Sequence, residues 1–198
     1  MSAFRRLLAA ALLVAAPVHS QDAARTDAGA MAAKIEQVRA AVEHPRAPNA
    51  PPLRTTFTDR EMNAYLAVEG PSFLPDGIAA PRFAAGAGGR VTARALVDLN
   101  TVRLAPPGGF LNPLALLSGA VEVVATGTIA ADKGQGTAHF ESGTIGGIPV
   151  PRTIVEQLLR FYTRTKERPQ GFGLDSPFEL PAGIRSVVVD AGRVTVTQ

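Results

Sequence analysis

Histidine, serine, the carboxylates and the glycine clusters are where this chain could carry chemistry, and none stands in a pattern that does. After the first twenty residues there are two histidines, His44 and His139, and the chain has no cysteine. Nucleophilic catalysis needs a nucleophile held beside a base. His44 stands at a helix end beside a proline-rich run, His139 lies in a strand pattern, and no serine occupies a Gly-x-Ser-x-Gly elbow. His139 and Glu141 share one strand face, but two metal ligands with no third read as a polar outer surface. The glycines at 86–89 and 134–136 read as hairpin turns. Neither they nor those at 146–147 precede a helix with the Lys-Ser/Thr of a phosphate loop. Glu61, Asp98, Glu122 and Glu141 have no spacing that pairs them for acid–base work. The expectation is a protein that is not an enzyme and carries no metal or cofactor.

If the chain binds rather than catalyses, its apolar faces must do the work. The stretch from Pro149 onward organises them. At 100° per residue Ile154, Val155, Leu158, Leu159, Phe161 and Tyr162 share one arc of a helix at 151–165 started by Pro151, with Glu156, Gln157, Arg160, Thr163 and Arg164 opposite. Burying those six would contribute on the order of 10 kcal/mol before ordering entropy is subtracted. Arg160, Arg164, Lys166 and Arg168 read as the solvated face and end of that helix, where cations suit the dipole.

Arg5 and Arg6, the apolar run Leu7 to Ala16, and Val18 and Ser20 at the positions a signal peptidase reads make residues 1–20 a secretory signal peptide, too short to span a bilayer. The expected location is the periplasm or the extracellular space. Without cysteine there is no lipoprotein anchor and no disulfide, so the core alone must hold the fold. Removing the leader takes two of 20 Lys+Arg and none of 17 Asp+Glu, leaving about +1. That charge, with no basic run interleaved with aromatics, argues against a nucleic-acid partner.

Residues 21–44 read as an Ala-rich helix with Met31, Ile35, Val38 and Val42 on a narrow stripe that docks on the body as an appendage. The prolines at 45, 48, 51 and 52 make 45–54 a linker to a domain at 55–198. Thr58-Asp-Arg-Glu61 is a capping box with Phe57 and Met62 as a hydrophobic staple, so a helix begins at Asp59 and stops near Glu69-Gly-Pro71. Asn63, at the edge of its apolar stripe, reads as a structural pin to nearby backbone. From Ile78 the period becomes two: Val91, Ala93, Ala95, Val97 and Leu99 share one face, and Val121, Val123, Ala125 and Ile129 share another. These small and medium residues let a sheet bend and pack closely, or leave room for a ligand. Phe110, Leu111, Leu114, Leu116 and Leu117 crowd a connection bounded by Pro and Gly. They form either a plug over the core or an apolar lip that touches a ligand or, transiently, a membrane surface.

Two units echo each other: Leu74-Pro-Asp-Gly-Ile78 and Leu180-Pro-Ala-Gly-Ile184, then Gly89-Arg-Val-Thr92 and Gly192-Arg-Val-Thr195, each after a helical pattern. The expected class is α+β: a curved antiparallel sheet of about six strands against the helices near 59–69 and 151–165, a two-copy helix–hairpin repeat, and an extra N-terminal helix. Glu61-Met-Asn-Ala-Tyr-Leu66, the Val91 to Leu99 strand, the run Gly143 to Val155 and the terminal Leu-Pro-x-Gly-Ile hairpin, taken in that order, resemble the LmeA-type secreted phospholipid-binding proteins of bacteria. The likeness spans roughly residues 55–198 and departs from the family at the helix and linker of 21–52. It implies a sheet wrapped on helices, similar to the tubular lipid-binding proteins, with a groove for acyl chains and no catalysis. The groove residues expected from pattern and resemblance together are Val91, Ala93, Ala95, Val97, Leu99, Phe110, Leu111, Leu114, Leu117, Val121, Val123, Ile154, Leu158 and Tyr162. The partner is then a lipid or other apolar small molecule. The competing reading is a structural module of the cell envelope with a filled core.

Overall fold

The computed structural model describes residues 18–44, 50–101, 118–166 and 169–198. The run from Phe110 to Leu117, most of the leader and the first half of the proline linker lie outside them. The fold is α+β, with a helix α1 (Val18–Glu43) before an open, curved antiparallel sheet. Strand β1 (Arg54–Thr58) leads into α2 (Asp59–Val68) and a short turn of helix, α3 (Gly70–Phe73). The hairpin β2 (Ile78–Ala85) and β3 (Arg90–Asp98) follows, then β4 (Ala120–Asp132) and β5 (Gln135–Ile145). A two-residue β6 (Ile148–Pro149), α4 (Arg152–Tyr162), a two-residue β7 (Phe178–Glu179) and the hairpin β8 (Ser186–Asp190) and β9 (Arg193–Thr197) complete the chain. Four helices and nine strands are described; the sequence predicts about six strands, and β1 and the two-residue β6 and β7 are the additional ones.

The α2 start forms as its sequence requires. Thr58 Oγ1 accepts from the Glu61 N–H at 3.2 Å, and Glu61 Oε2 accepts from the Thr58 N–H at 2.9 Å, so two otherwise unpaired donors satisfy each other's residue. Glu61 also takes the Lys34 ammonium of α1 at 2.7 Å, which ties α1 to the same point. The N-terminal helix is therefore no appendage. Val38, with Met31 and Ile35, packs with Phe57, Met62 and Val196 in one core cluster, while Val42, expected on the same stripe, is exposed. Lys34 also donates to the Thr56 carbonyl, covering part of the free edge of β1.

Burial pushes the Glu61 carboxyl up, but the hydrogen bonds from Lys34 and Thr58 and the Lys34 charge outweigh it and hold the group below its ordinary value. A depressed carboxyl adds stability that is complete above the unfolded value of about 4.3 and is lost as pH falls through the lower folded value. Glu61→Gln keeps the cap and removes the charge. Lys34 keeps 30 % of its side chain in solvent, so we expect a cost of only about 1 kcal/mol at pH 7. Urea titrations of both proteins should show that gap shrink steadily as pH falls below about 4.3. A gap that does not change with falling pH would mean the charge is not its source.

The main sheet order is β1, β9, β8, β4, β3, β2, with β5 beside β4 and the short β6 and β7 beside β5. Only one residue pair, Ala131 with Val187, joins β8 to β4, so the three-stranded end turns a corner against the rest. At the far side of that corner the Gly192 N–H donates to the Ala85 carbonyl, and the Gly192 carbonyl accepts from the Asp59 N–H, both at 2.9 Å. Two bulges add curvature. One lies in β2 between Ala79 and Arg82, and the other puts Glu141 out of register opposite Thr126 and Gly127. At the second, a Cβ on Gly127 would stand 2.4 Å from the His139 carbonyl oxygen, so only glycine lets the two strands approach.

The two Leu-Pro-x-Gly-Ile units close the same hydrogen bond in different turns: φ is positive only at Gly77 in the first and at both Ala182 and Gly183 in the second, so the units do not repeat at this point. Ile78 N–H donates to Pro75 O at 3.2 Å and Ile184 N–H to Pro181 O at 3.1 Å, and an antiparallel hairpin follows each. Both α2 and α4 lie on one side of the sheet: Met62 and Val187 pack against the same Val38, Phe57 and Val196 cluster, Ile154 and Val123 against Ile145 and Val150, and Val187 shares a face with Val123 through Ala131. Sequence reasoning puts Pro151 inside α4 and carries the helix to residue 165. Pro151 instead caps the helix, which ends at Tyr162 where Thr163 Oγ1 donates to Leu159 O. Its described apolar residues Ile154, Val155 and Leu159 are half-buried, so their burial is smaller than the full face would give.

Candidate functional site

Alternation and register put the apolar residues of β2 to β5 on one face. Val91, Ala93, Ala95 and Val97 stand across from Gly127, Ala125, Val123 and Val121, and Val123 and Ala125 in turn stand across from Ile145 and Gly143. The opposite face is mainly polar, Leu96 and Val124 apart: Thr92 pairs with Thr126 at 3.2 Å, Arg94 lies 3.8 Å from Glu122, and the Arg90 guanidinium reaches Glu141.

Two separate clusters cover the ends of the apolar face. At one end Val121, Val123, Ile145 and Val150 pack with Ile154 and Val155 of α4. At the other, beyond Ala131, the α1, β1, α2 and β9 cluster closes over Val187. Between them Ala93, Ala125 and Ala138 are exposed, and no side chain among the described residues is completely buried. Packed protein interiors leave few gaps of this kind. The result is an apolar floor with small residues at Ala93, Ala125 and Ala138 between two half-cores, about 13 Å long from Ala125 to Ile129 at the rise of a strand, with the half-buried Phe83 across from Ala93 and the Phe140 ring against Gly143.

On the β5 side the floor runs into a cleft of about 330 Å³ between Ala138, Leu159 of α4, the loop through Phe172 and Leu174, and Phe178 and Glu179 of β7. Phe178 lies on Gly136, where a Cβ would meet its ring at 2.6 Å. Three polar side chains converge at its rim. The Asp175 carboxylate accepts from Arg152 at the start of α4 and holds His139 Nδ1 of β5 at 2.9 Å. Burial pushes the Asp175 carboxyl up, but the Arg152 and His139 hydrogen bonds and charges hold it below the ordinary aspartate value. This ties the loop to a helix and a strand. Among the described residues no group of three or more His, Cys, Asp or Glu is placed to hold a metal ion.

Of the expected groove residues, Val91, Ala93, Ala95, Val121 and Val123 share the floor face. Val97 is buried at its end, Leu99 is half-buried just past β3, and Ile154 is half-buried in the α4 cluster. Leu158 and Tyr162 lie on α4, their side chains outside the described set, as are Phe110, Leu111, Leu114 and Leu117 altogether. The cleft was missed. Its signal was Phe172, Leu174 and Phe178 in a loop rich in Gly and Pro, the same kind of apolar crowding that singles out 110–117. No helix among the described residues is long and apolar enough to cross a membrane. Compared with known proteins, the chain matches no protein family model, no curated protein and no solved structure.

Proposed function

We propose that this is an exported, non-catalytic protein of the cell envelope that binds a lipid or similar apolar molecule along the β2–β5 floor. The observation that carries the reading is the exposed Ala93, Ala125 and Ala138 between two separate apolar clusters. Phe83 across from Ala93 and Phe140 against Gly143 border this stretch, yet the clusters stay separate; a module with no ligand would add further large side chains and fuse them into one core. An acyl chain laid on the floor does the same job from outside the sequence and removes apolar surface from water at about 25 cal/mol per Å². The leader-like residues 1–20 and the order of the LmeA-like motifs support the same reading.

A structural interaction module is the second reading. Phe73, 52 % exposed and stacked on Tyr65, and Val68 nearby form an apolar corner that would suit a protein partner. Native mass spectrometry of the purified protein, with organic extraction of anything it carries, separates the two. We expect a co-purifying lipid, and a thermal midpoint that rises when lysophospholipid is added, by the equivalent of about 2.7 kcal/mol at a hundred times Kd. A protein that carries no lipid and shows no shift would be the structural module.

A further inference from the structure

We propose that the cleft between α4, β5 and β7 is the terminal subsite of the lipid site: it takes the methyl end of the acyl chain and limits the chain's length, so the ligand lies tail-first toward β7 with its head group directed away from it. This rests on the lipid reading above and gives that ligand a direction and a length. The floor runs along β4 from Ala125 to Ile129, and Ile129 stands across from Ala138, the exposed residue that floor and cleft share. At the next position on that face Ala131 stands across from Gly136. There the floor stops. A Cβ on Gly136 would meet the Phe178 ring at 2.6 Å and the Leu180 side chain at 3.2 Å, so these two side chains fill the position and form an end wall.

Among the described residues no charged group of the cleft is left to receive a head group. Asp175 at the rim is engaged by Arg152 and His139. The Glu156 and Arg160 side chains beside Gly173 pair with each other at 2.8 Å. Glu179 is exposed and sits between Phe178 and Leu180, so its carboxylate lies on the opposite face of β7. What faces a ligand is Ala138, Leu159, Phe172, Leu174 and Phe178, with one neutral hydroxyl from Ser176. A phosphate or ammonium stripped of water against these walls would gain no partner, whereas each methylene removes apolar surface from water. A cleft of about 330 Å³ that ends in a wall holds only a limited number of methylenes.

The test is isothermal titration of the purified protein, of Ala138→Phe and of Leu174→Ala with lysophosphatidylcholines of increasing chain length, each below its micelle concentration. For wild type we expect Kd to fall about fourfold with each added methylene up to one length and to stay level beyond it. Ala138→Phe fills the cleft from an exposed position, so it should bind short chains like wild type and level off at a shorter chain. Leu174→Ala enlarges the cleft and should level off at a longer one. Melting temperatures taken alongside show whether each variant is folded, and the shift in either folded variant decides. Affinity that keeps rising with length in wild type, or levels off at one length in all three proteins, overturns the subsite and leaves the lipid reading standing. An equal loss at every chain length in Ala138→Phe would put the head group in the cleft and overturn the direction. Binding of no chain at any length overturns the lipid reading and the subsite with it.

Discussion

Asn63→Ala is expected to cost about 2–4 kcal/mol and lower the melting temperature by roughly 5–15 °C. The Asn63 amide works as a one-residue strand on the open edge of β2. Its Nδ2 donates to Phe83 O at 2.8 Å and to Asp59 O at 2.7 Å, while its Oδ1 accepts from Phe83 N–H at 2.8 Å. Two residues on, the Asp59 carboxylate accepts from the Ala85 N–H at 3.1 Å, so α2 covers the edge that a strand would otherwise cover. Alanine leaves a half-buried N–H and C=O on Phe83 without partners, each costing about 1–3 kcal/mol. Asn63→Asp separates the donor from the acceptor. Its carboxylate still accepts from Phe83 N–H but faces two carbonyl oxygens, which favours the protonated form and raises the folded pKa above the unfolded one. Its stability deficit should therefore be full at neutral pH and shrink as pH falls through that raised value. Equal urea midpoints for wild type and Asn63→Ala would show that water satisfies Phe83 and that the amide is not the clamp.

The same residue shows what could be read in sequence. The capping box is local, since Thr58 to Glu61 spans one turn; that the Asn63 amide must bond to something is legible too, but its partner Phe83 lies twenty residues on and is not. Alternation likewise sets the floor face, because period two puts Ala93 with Val91 and Ala125 with Val123 whatever lies opposite. What fails is whatever depends on distant partners. β1 has five residues, three of them threonine, and Phe57 was read as a staple; only pairing with β9, at the other end of the chain, makes it a strand. The corner of the sheet hangs on Ala131 meeting Val187. The rim of the cleft joins residues 36 and 23 positions apart, His139 and Arg152 with Asp175, and no periodicity links them. The weight given to α4 was misplaced for a related reason. An amphipathic arc says which side turns inward, but not how much of a partner surface waits there.

Ala125→Glu should leave the melting temperature within about 1 °C of wild type while weakening lysophospholipid binding by more than a hundredfold. Both halves follow from position. Ala125 is exposed on the floor across from Ala93 on β3 and Gly143 on β5, so in the free protein a carboxylate there keeps its water and costs little. An acyl chain on the floor strips that water and offers no donor in exchange, and an unpaired buried carboxylate costs several kcal/mol. Val97→Glu is the matched control. Val97 stands on the same face of β3 but is only 7 % exposed at the floor's end, so the same charge should unfold the protein or lower its melting temperature sharply before binding is measured. Ala125→Phe extends the argument in the other direction. A ring over the gap supplies from the sequence what the ligand would supply, so stability should hold or rise while lipid uptake falls. If Ala125→Glu stays folded and still takes up lipid at wild-type affinity, the chain does not lie across the centre of the sheet. The cleft beside β7 would then have to hold the ligand alone.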